Sequence, residues 1–198
     1  MSSIFLLRNI IFFMSAFFSS VLAVALSEIG DKTQLLTLFL AARFTQKYAI
    51  MAGITVATLL NHAISAELGV WLTQSLSPAV IAYIVGGSFI AVGLWLLKPD
   101  KDEETDTRYL RFGAFFATLI LFFSAEIGDK TQLATILLAA RYHDVFSVVI
   151  GSTLGLLIAN IPVIFFGAWL TQKLPLPLIR LCACAVFCVL GVITLWAA

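Results

Sequence analysis

The sequence predicts an all-α integral membrane protein made of six transmembrane helices, arranged as two inverted three-helix repeats. Three observations lead there. Of 198 residues, 61% are hydrophobic and only 12% charged, with a mean hydropathy of +1.04, which is too little charge to cover a soluble domain. The apolar residues gather into six stretches near the length of a bilayer span, about 20 residues as a helix. The second half then repeats the first at a constant offset of 98 positions. The net charge of +1 offers no basic field for nucleic acid and no acidic tail.

Taken in order, the predicted helices cover 12–43, 48–73, 79–97, 112–141, 145–171 and 177–197. Arg8 before an apolar run, with Val21-Leu22-Ala23 after it, imitates a secretory signal. The same spacing recurs from Phe112 to Ala125, where no signal can lie, so the first stretch is expected to be retained as a helix. The first and fourth stretches exceed one span, so they should be tilted or broken, with Gly30 and Gly128 the places for a break. The Gly86-Gly87 pair and the Gly151-to-Gly155 spacing read as close helix packing. Cys182, Cys184 and Cys188 fall in the last helix and read as small buried apolar groups rather than as metal ligands. Between the third and fourth helices, residues 98–108 hold five of the eleven acids, Asp100, Asp102, Glu103, Glu104 and Asp106. That stretch reads as a solvated linker. The expected division is therefore a first repeat at 1–97, a charged linker at 98–111 and a second repeat at 112–198.

Adding 98 carries Gly53 onto Gly151, Thr55 onto Thr153, Gly69 onto Gly167, Trp71-Leu72-Thr73-Gln74 onto Trp169-Leu170-Thr171-Gln172, and Gly93 onto Gly191. A unit with an odd number of spans must enter the membrane from opposite sides in its two copies, which makes the halves inverted repeats. One side then carries Arg43, Lys47, Lys98, Lys101, Arg108, Arg111, Lys173 and Arg180, and the other only Arg8 and Arg141. The excess of positive charge makes the first side cytoplasmic. The linker is expected there, with both termini opposite.

The repeat is strictest at one hexapeptide. Glu28-Ile29-Gly30-Asp31-Lys32-Thr33 returns as Glu126-Ile127-Gly128-Asp129-Lys130-Thr131, each followed by Gln-Leu. Each of its charges costs roughly 2.5–3.5 kcal/mol at the centre of a membrane helix. Buried ion pairs that only join the halves would be poorly rewarded, because apolar residues often replace them without loss. A duplicated intramembrane set is better read as a working site. On an unbroken helix Glu28, Asp31, Lys32 and Leu35 share a face. Inverted symmetry can bring Glu28, Asp31, Glu126 and Asp129 together near the midplane. Four ionised carboxylates against Lys32 and Lys130 leave about −2, the charge of one divalent cation. Carboxylate, hydroxyl and amide oxygens from these acids, Thr33, Thr131, Gln34 and Gln132 suit Ca²⁺, Mg²⁺ or Mn²⁺. Crowded carboxylates at low dielectric are relieved by a metal or by protons, which is a basis for exchanging one for the other. Lys32 can either neutralise Glu28 and swing aside for a cation or form a fixed ion pair, and sequence leaves both open.

Asn61 and His62 in the second helix, and Asn160 in the fifth, are candidates to line a path. Asn160 is the counterpart of His62. A lone membrane histidine is somewhat more often a hydrogen-bonding group between helices than a ligand. Glu67 reads as an exit relay or an interfacial acid.

The doubled Glu-x-Gly-Asp-Lys-Thr pattern, in the first helix of each half, resembles the family of the Golgi calcium and manganese transporter, placed with the lysine-exporter superfamily. The resemblance covers nearly the whole chain. It implies secondary active transport of Mn²⁺ or Ca²⁺ against protons, with no cofactor and no enzyme activity. Glu28, Asp31, Glu126 and Asp129 match the family's cation-binding acids. It also implies a bacterial cytoplasmic membrane as location, with the lipid bilayer and the metal ion as partners, and export of Mn²⁺ as the task. A divalent cation channel is a rival, since it would share the acids but not the dependence on protons. An intramembrane aspartyl protease is a weaker one, because its acid and base need unlike surroundings, whereas the repeat makes these two alike.

Overall fold

A computed structural model describes the backbone of residues 2–74, 76–99, 106–167, 169 and 173–196, with side chains described from Phe13 onward. Helices α1 (Ser2–Glu28), α2 (Lys32–Arg43), α3 (Lys47–Thr73) and α4 (Pro78–Leu96) form the first half. A short 3-10 turn at Thr107–Phe112 leads to α5 (Gly113–Glu126), α6 (Lys130–Tyr142), α7 (Val145–Phe166) and α8 (Leu176–Trp196). Among the described residues five helical segments are long and apolar enough to cross a membrane, and α1 with α2, bent by 70°, bring the number to six if the pair is one span. Linker residues 100–105 lie outside the described residues, as do 170–172, so the reach of the fifth predicted helix to 171 is not described beyond α7. That helix closes at Phe166, where Gly167 takes φ +58°.

The two overlong stretches are broken at the glycines. Gly30 and Gly128 adopt φ of +82° and +78°, a left-handed conformation that costs a residue with a Cβ and is free to glycine. The amide left open by each break is satisfied four residues on: Gly30 N–H donates to Gln34 Oε1 at 3.0 Å and Gly128 N–H to Gln132 Oε1 at 2.7 Å. In hydrocarbon, where water cannot take that role, such a partner is what makes the break tolerable. The break also overturns the expected single face. Leu35, predicted beside the acids, is 47% exposed, whereas Thr33 and Gln34 turn inward and are buried.

Packing between the halves comes in pairs that differ by 98. Helix α1 runs along α7, and α5 along α3; α2 meets α7, and α6 meets α3; α4 packs on α8. A Cβ placed on Gly53 would stand 2.7 Å from Thr118 Cβ and 2.8 Å from the Phe115 carbonyl, and one on Gly151 would stand 3.0 Å from Ser20 Cβ and 2.6 Å from the Phe17 carbonyl. Each of the latter positions is the former plus or minus 98. Gly86 and Gly191 approach each other's carbonyls in the same manner between α4 and α8. The pairing fails in several places. A Cβ on Gly69 of α3 would lie 2.3 Å from the Ile136 carbonyl of α6, yet one on Gly167 would find only Leu38 of α2, at 3.9 Å. Likewise α4 packs against α6 and α1 against α8.

Large apolar side chains cover the surface, and polar ones are buried among the two apolar clusters of the interior. Phe18, Leu60, Trp71, Leu94, Phe116 and Val192 are exposed, while Glu28, Glu126, His62, Asn160 and Thr131 are fully buried. Lipid can cover the first set, and only protein can serve the second. Of the cysteines, Cys184 is buried, Cys188 half-buried and Cys182 exposed; Cys184 Sγ lies 3.9 Å from Cys188 Sγ, and all three are free thiols.

Gly69→Ala is expected to cost about 1–3 kcal/mol by overpacking α3 against α6, lowering the melting temperature in detergent by several degrees. Gly87→Ala, with nothing within 4 Å, should leave it unchanged; equal effects would refute the close approach.

Candidate cation site at the paired helix breaks

The two motifs meet in one buried contact, because α2 and α6 begin beside each other there. An α-helix presents unpaired N–H groups and a partial positive charge at its start. Asp31 and Asp129 occupy the capping positions of α2 and α6, and Asp129 Oδ1 accepts from Lys130 N–H at 2.6 Å. Carboxylates are best tolerated at such ends.

Glu28 is where the halves meet. Its Oε2 accepts from Thr33 Oγ1 at 2.5 Å, and its Oε1 accepts from Thr131 Oγ1 of the opposite motif. Asn160 Nδ2 adds a longer contact to Oε2 at 3.4 Å, with its own Oδ1 held by Thr37 Oγ1 at 2.7 Å. Gln34 Nε2 donates to the Ala159 carbonyl at 3.0 Å, tying α2 to α7. Glu126, the counterpart of Glu28, is also fully buried, but neither of its carboxylate oxygens has a hydrogen-bond partner. Facing it is His62 Nε2, 3.7 Å from Oε2. Thus both motif threonines serve one glutamate, and the other is left with the imidazole.

The four acids do not all share partners in this arrangement. Among the described residues, no three His, Cys, Asp or Glu side chains stand close enough to hold a metal ion together. Like charges at low dielectric separate when donors are at hand. Glu28 is drawn to hydroxyls, and Asp129 Oδ2 lies 3.7 Å from Lys32 Nζ. Asp31 borders a cleft also lined by Lys98, Lys130 and Arg180, and its Oδ2 is buried without a hydrogen bond. Lys32 therefore pairs across the interface with Asp129 instead of one turn back with Glu28. Lys130 Nζ donates to the Lys98 carbonyl at 3.1 Å and stands over the Trp95 ring, 5.6 Å from its centre.

The remaining candidates divide. Asn61 Nδ2 donates to the Phe123 carbonyl at 3.0 Å, a link from α3 to α5 rather than a lining group. Glu67 is exposed and outside the contact between the motifs. Thr37, absent from the predicted set, orients Asn160. Its signal was its place one turn after Thr33 on the buried side of α2, legible only once the helix is known to break.

Buried acids at paired breaks in membrane-spanning helices place the chain among membrane transport proteins. It belongs to the family described as "Divalent cation/proton antiporter GDT1", whose model matches residues 16–104 and 114–198. It is 46% identical over 185 residues to a Vibrio cholerae protein named "Putative manganese exporter", covering 91% of this chain and 90% of that one. GDT1-like proteins of Synechocystis (24% identical, 92% and 98% covered) and Arabidopsis thaliana (26% identical, 90% and 94% covered) are similar over nearly their full lengths. No solved structure matches the chain.

Thr131→Val is expected to destabilise the protein by about 1–3 kcal/mol, since it strands a buried carboxylate oxygen. Thr118→Val is the matched control, because the Thr118 hydroxyl is buried without a partner and its loss should be neutral or stabilising. Unfolding of both variants in detergent, followed by tryptophan fluorescence, compares them; a reversed order would refute the Glu28 assignment.

Proposed function

We propose that the chain exports a divalent cation, Mn²⁺ first among them, in exchange for protons, through one chamber shared by the two motifs. The observation that carries this is the hydrogen bond from Thr131 to Glu28, which joins the second motif to the first. In this reading Glu28, Asp31, Glu126 and Asp129 supply the cation's oxygens, and Thr33, Thr131, Gln34 and Gln132 support them. The set matches a hard divalent cation in charge and donor type. Arrival of the cation draws Asp129 away from Lys32 and the acids inward. Protonation of the same acids releases it, so that cation and protons occupy the chamber by turns.

The halves are inverted repeats, residues 1–97 and 112–198, joined by the linker at 98–111. Packing contacts that recur at plus 98 support this. The charge balance of the loops supports a cytoplasmic linker in the cell membrane, with both termini opposite. One failure of the paired packing supports alternating access: α6 is seated against α3 at Gly69, and its counterpart α2 stands off Gly167. Exchanging these two states moves the opening from one side to the other. Ca²⁺ remains a second cargo because the four motif acids offer oxygen, which Ca²⁺ also accepts.

In proteoliposomes an imposed pH gradient is expected to drive Mn²⁺ uphill. Asp31→Asn and Asp129→Asn should each reduce that flux by tenfold or more, since both halves build one site. Flux indifferent to the proton gradient would make the protein a channel. Loss in only one of the two variants would refute the shared site.

A further inference from the structure

We propose that His62 is a nitrogen ligand to the transported cation, and that it makes the Glu126 side of the chamber prefer a transition-series ion over Ca²⁺ and Mg²⁺. This rests on the antiporter reading above and adds what selects the cargo.

The geometry is unusual for a buried histidine. His62 is fully buried on α3, and its Nε2 has no hydrogen-bond partner. It points at Glu126 Oε2 across 3.7 Å, too far for a hydrogen bond, and neither Glu126 oxygen has a hydrogen-bond partner. A buried group left so costs stability, so an arrangement of this kind needs an occupant or a use. Two ligands each about 2.0–2.4 Å from one ion stand roughly 3–4 Å apart, which is the spacing seen. On the other side of the ring, Nδ1 lies 3.5 Å from Thr153 Oγ1. A proton on Nδ1 directed at that hydroxyl leaves the Nε2 lone pair facing Glu126, and this is how ligating histidines are oriented in metal sites.

The repeat supplies the comparison. At the equivalent place in the other half stands Asn160, whose amide donates to Glu28. Glu28 is thus surrounded by donors, and Glu126 by a group that can itself bind a cation. Thr153 has Thr55 as its counterpart, and Thr55 Oγ1 donates to the Met51 carbonyl of its own helix at 2.8 Å. The halves differ here in both the ring and its support. Imidazole suits transition metals, whereas Ca²⁺ and Mg²⁺ take oxygen, so one such nitrogen biases an otherwise oxygen-lined site.

The chain has two histidines, and the other, His143, is exposed beyond the end of α6 near Thr73. That makes the test clean. Mn²⁺ bound to the purified full chain in detergent is expected to show electron spin-echo modulation from a directly bound ¹⁴N, retained in His143→Asn and lost in His62→Asn. In proteoliposomes, His62→Asn should lower the ratio of Mn²⁺ to Ca²⁺ flux by tenfold or more, the scale of a lost metal partner. Bound Mn²⁺ without ¹⁴N coupling in the wild type, or an unchanged flux ratio in the variant, overturns the assignment and leaves the antiporter standing. Wild-type protein that moves neither ion overturns the antiporter reading and this inference with it. Should His62→Asn fail to fold, the wild-type spectrum beside His143→Asn still decides.

Discussion

The carboxylate of Glu28 is the constraint on which the rest of the structure depends. A buried charge in hydrocarbon needs donors, and a straight helix cannot supply them to its own side chains. The break at Gly30 brings Thr33 round to one oxygen, and the second half brings Thr131 to the other. Asn160 and its support Thr37 fill what remains. Joining of α1, α2, α6 and α7 is thereby a condition of burying one acid. The close approaches at Gly53, Gly151 and Gly86 follow, because small residues let those helices come near enough to complete the set.

Much of this was legible in the sequence. Periodic hydrophobicity and length located the spans, and the offset of 98 located the equivalences. Gly30 and Gly128 marked the breaks because an overlong apolar stretch with a central glycine and charge has few other solutions. The acids were found by their cost. What could not be read was partnership. Lys32 sits one turn from Glu28 in the sequence, but the break turns it toward Asp129 in the other half. Gln34 and Gln132 looked like ligands, and each gives its carbonyl oxygen to the amide its own glycine exposes. Leu35 joined the predicted face only while the helix was taken as continuous.

The departures from the 98-residue correspondence carry as much information as the correspondence itself. Identical hexapeptides sit in unlike surroundings because their second neighbours differ, His62 against Asn160 and Gly167 against a looser α2. Duplication yields two equivalent acids, and divergence at a few contacting positions gives them unlike surroundings.

The long sequence separation of the donors to Glu28 bears on how the chain is made. Thr131 and Asn160 lie 103 and 132 positions downstream of it. At about 5–20 residues per second of synthesis, they follow Glu28 out of the ribosome by something on the order of 5–25 seconds. Over that interval the first half sits with an acid whose final partners do not yet exist. Thr33, five residues away, is the donor that arrives with it. Of the donors to Glu28, the first half thus supplies one from its own sequence, and the second half supplies the others.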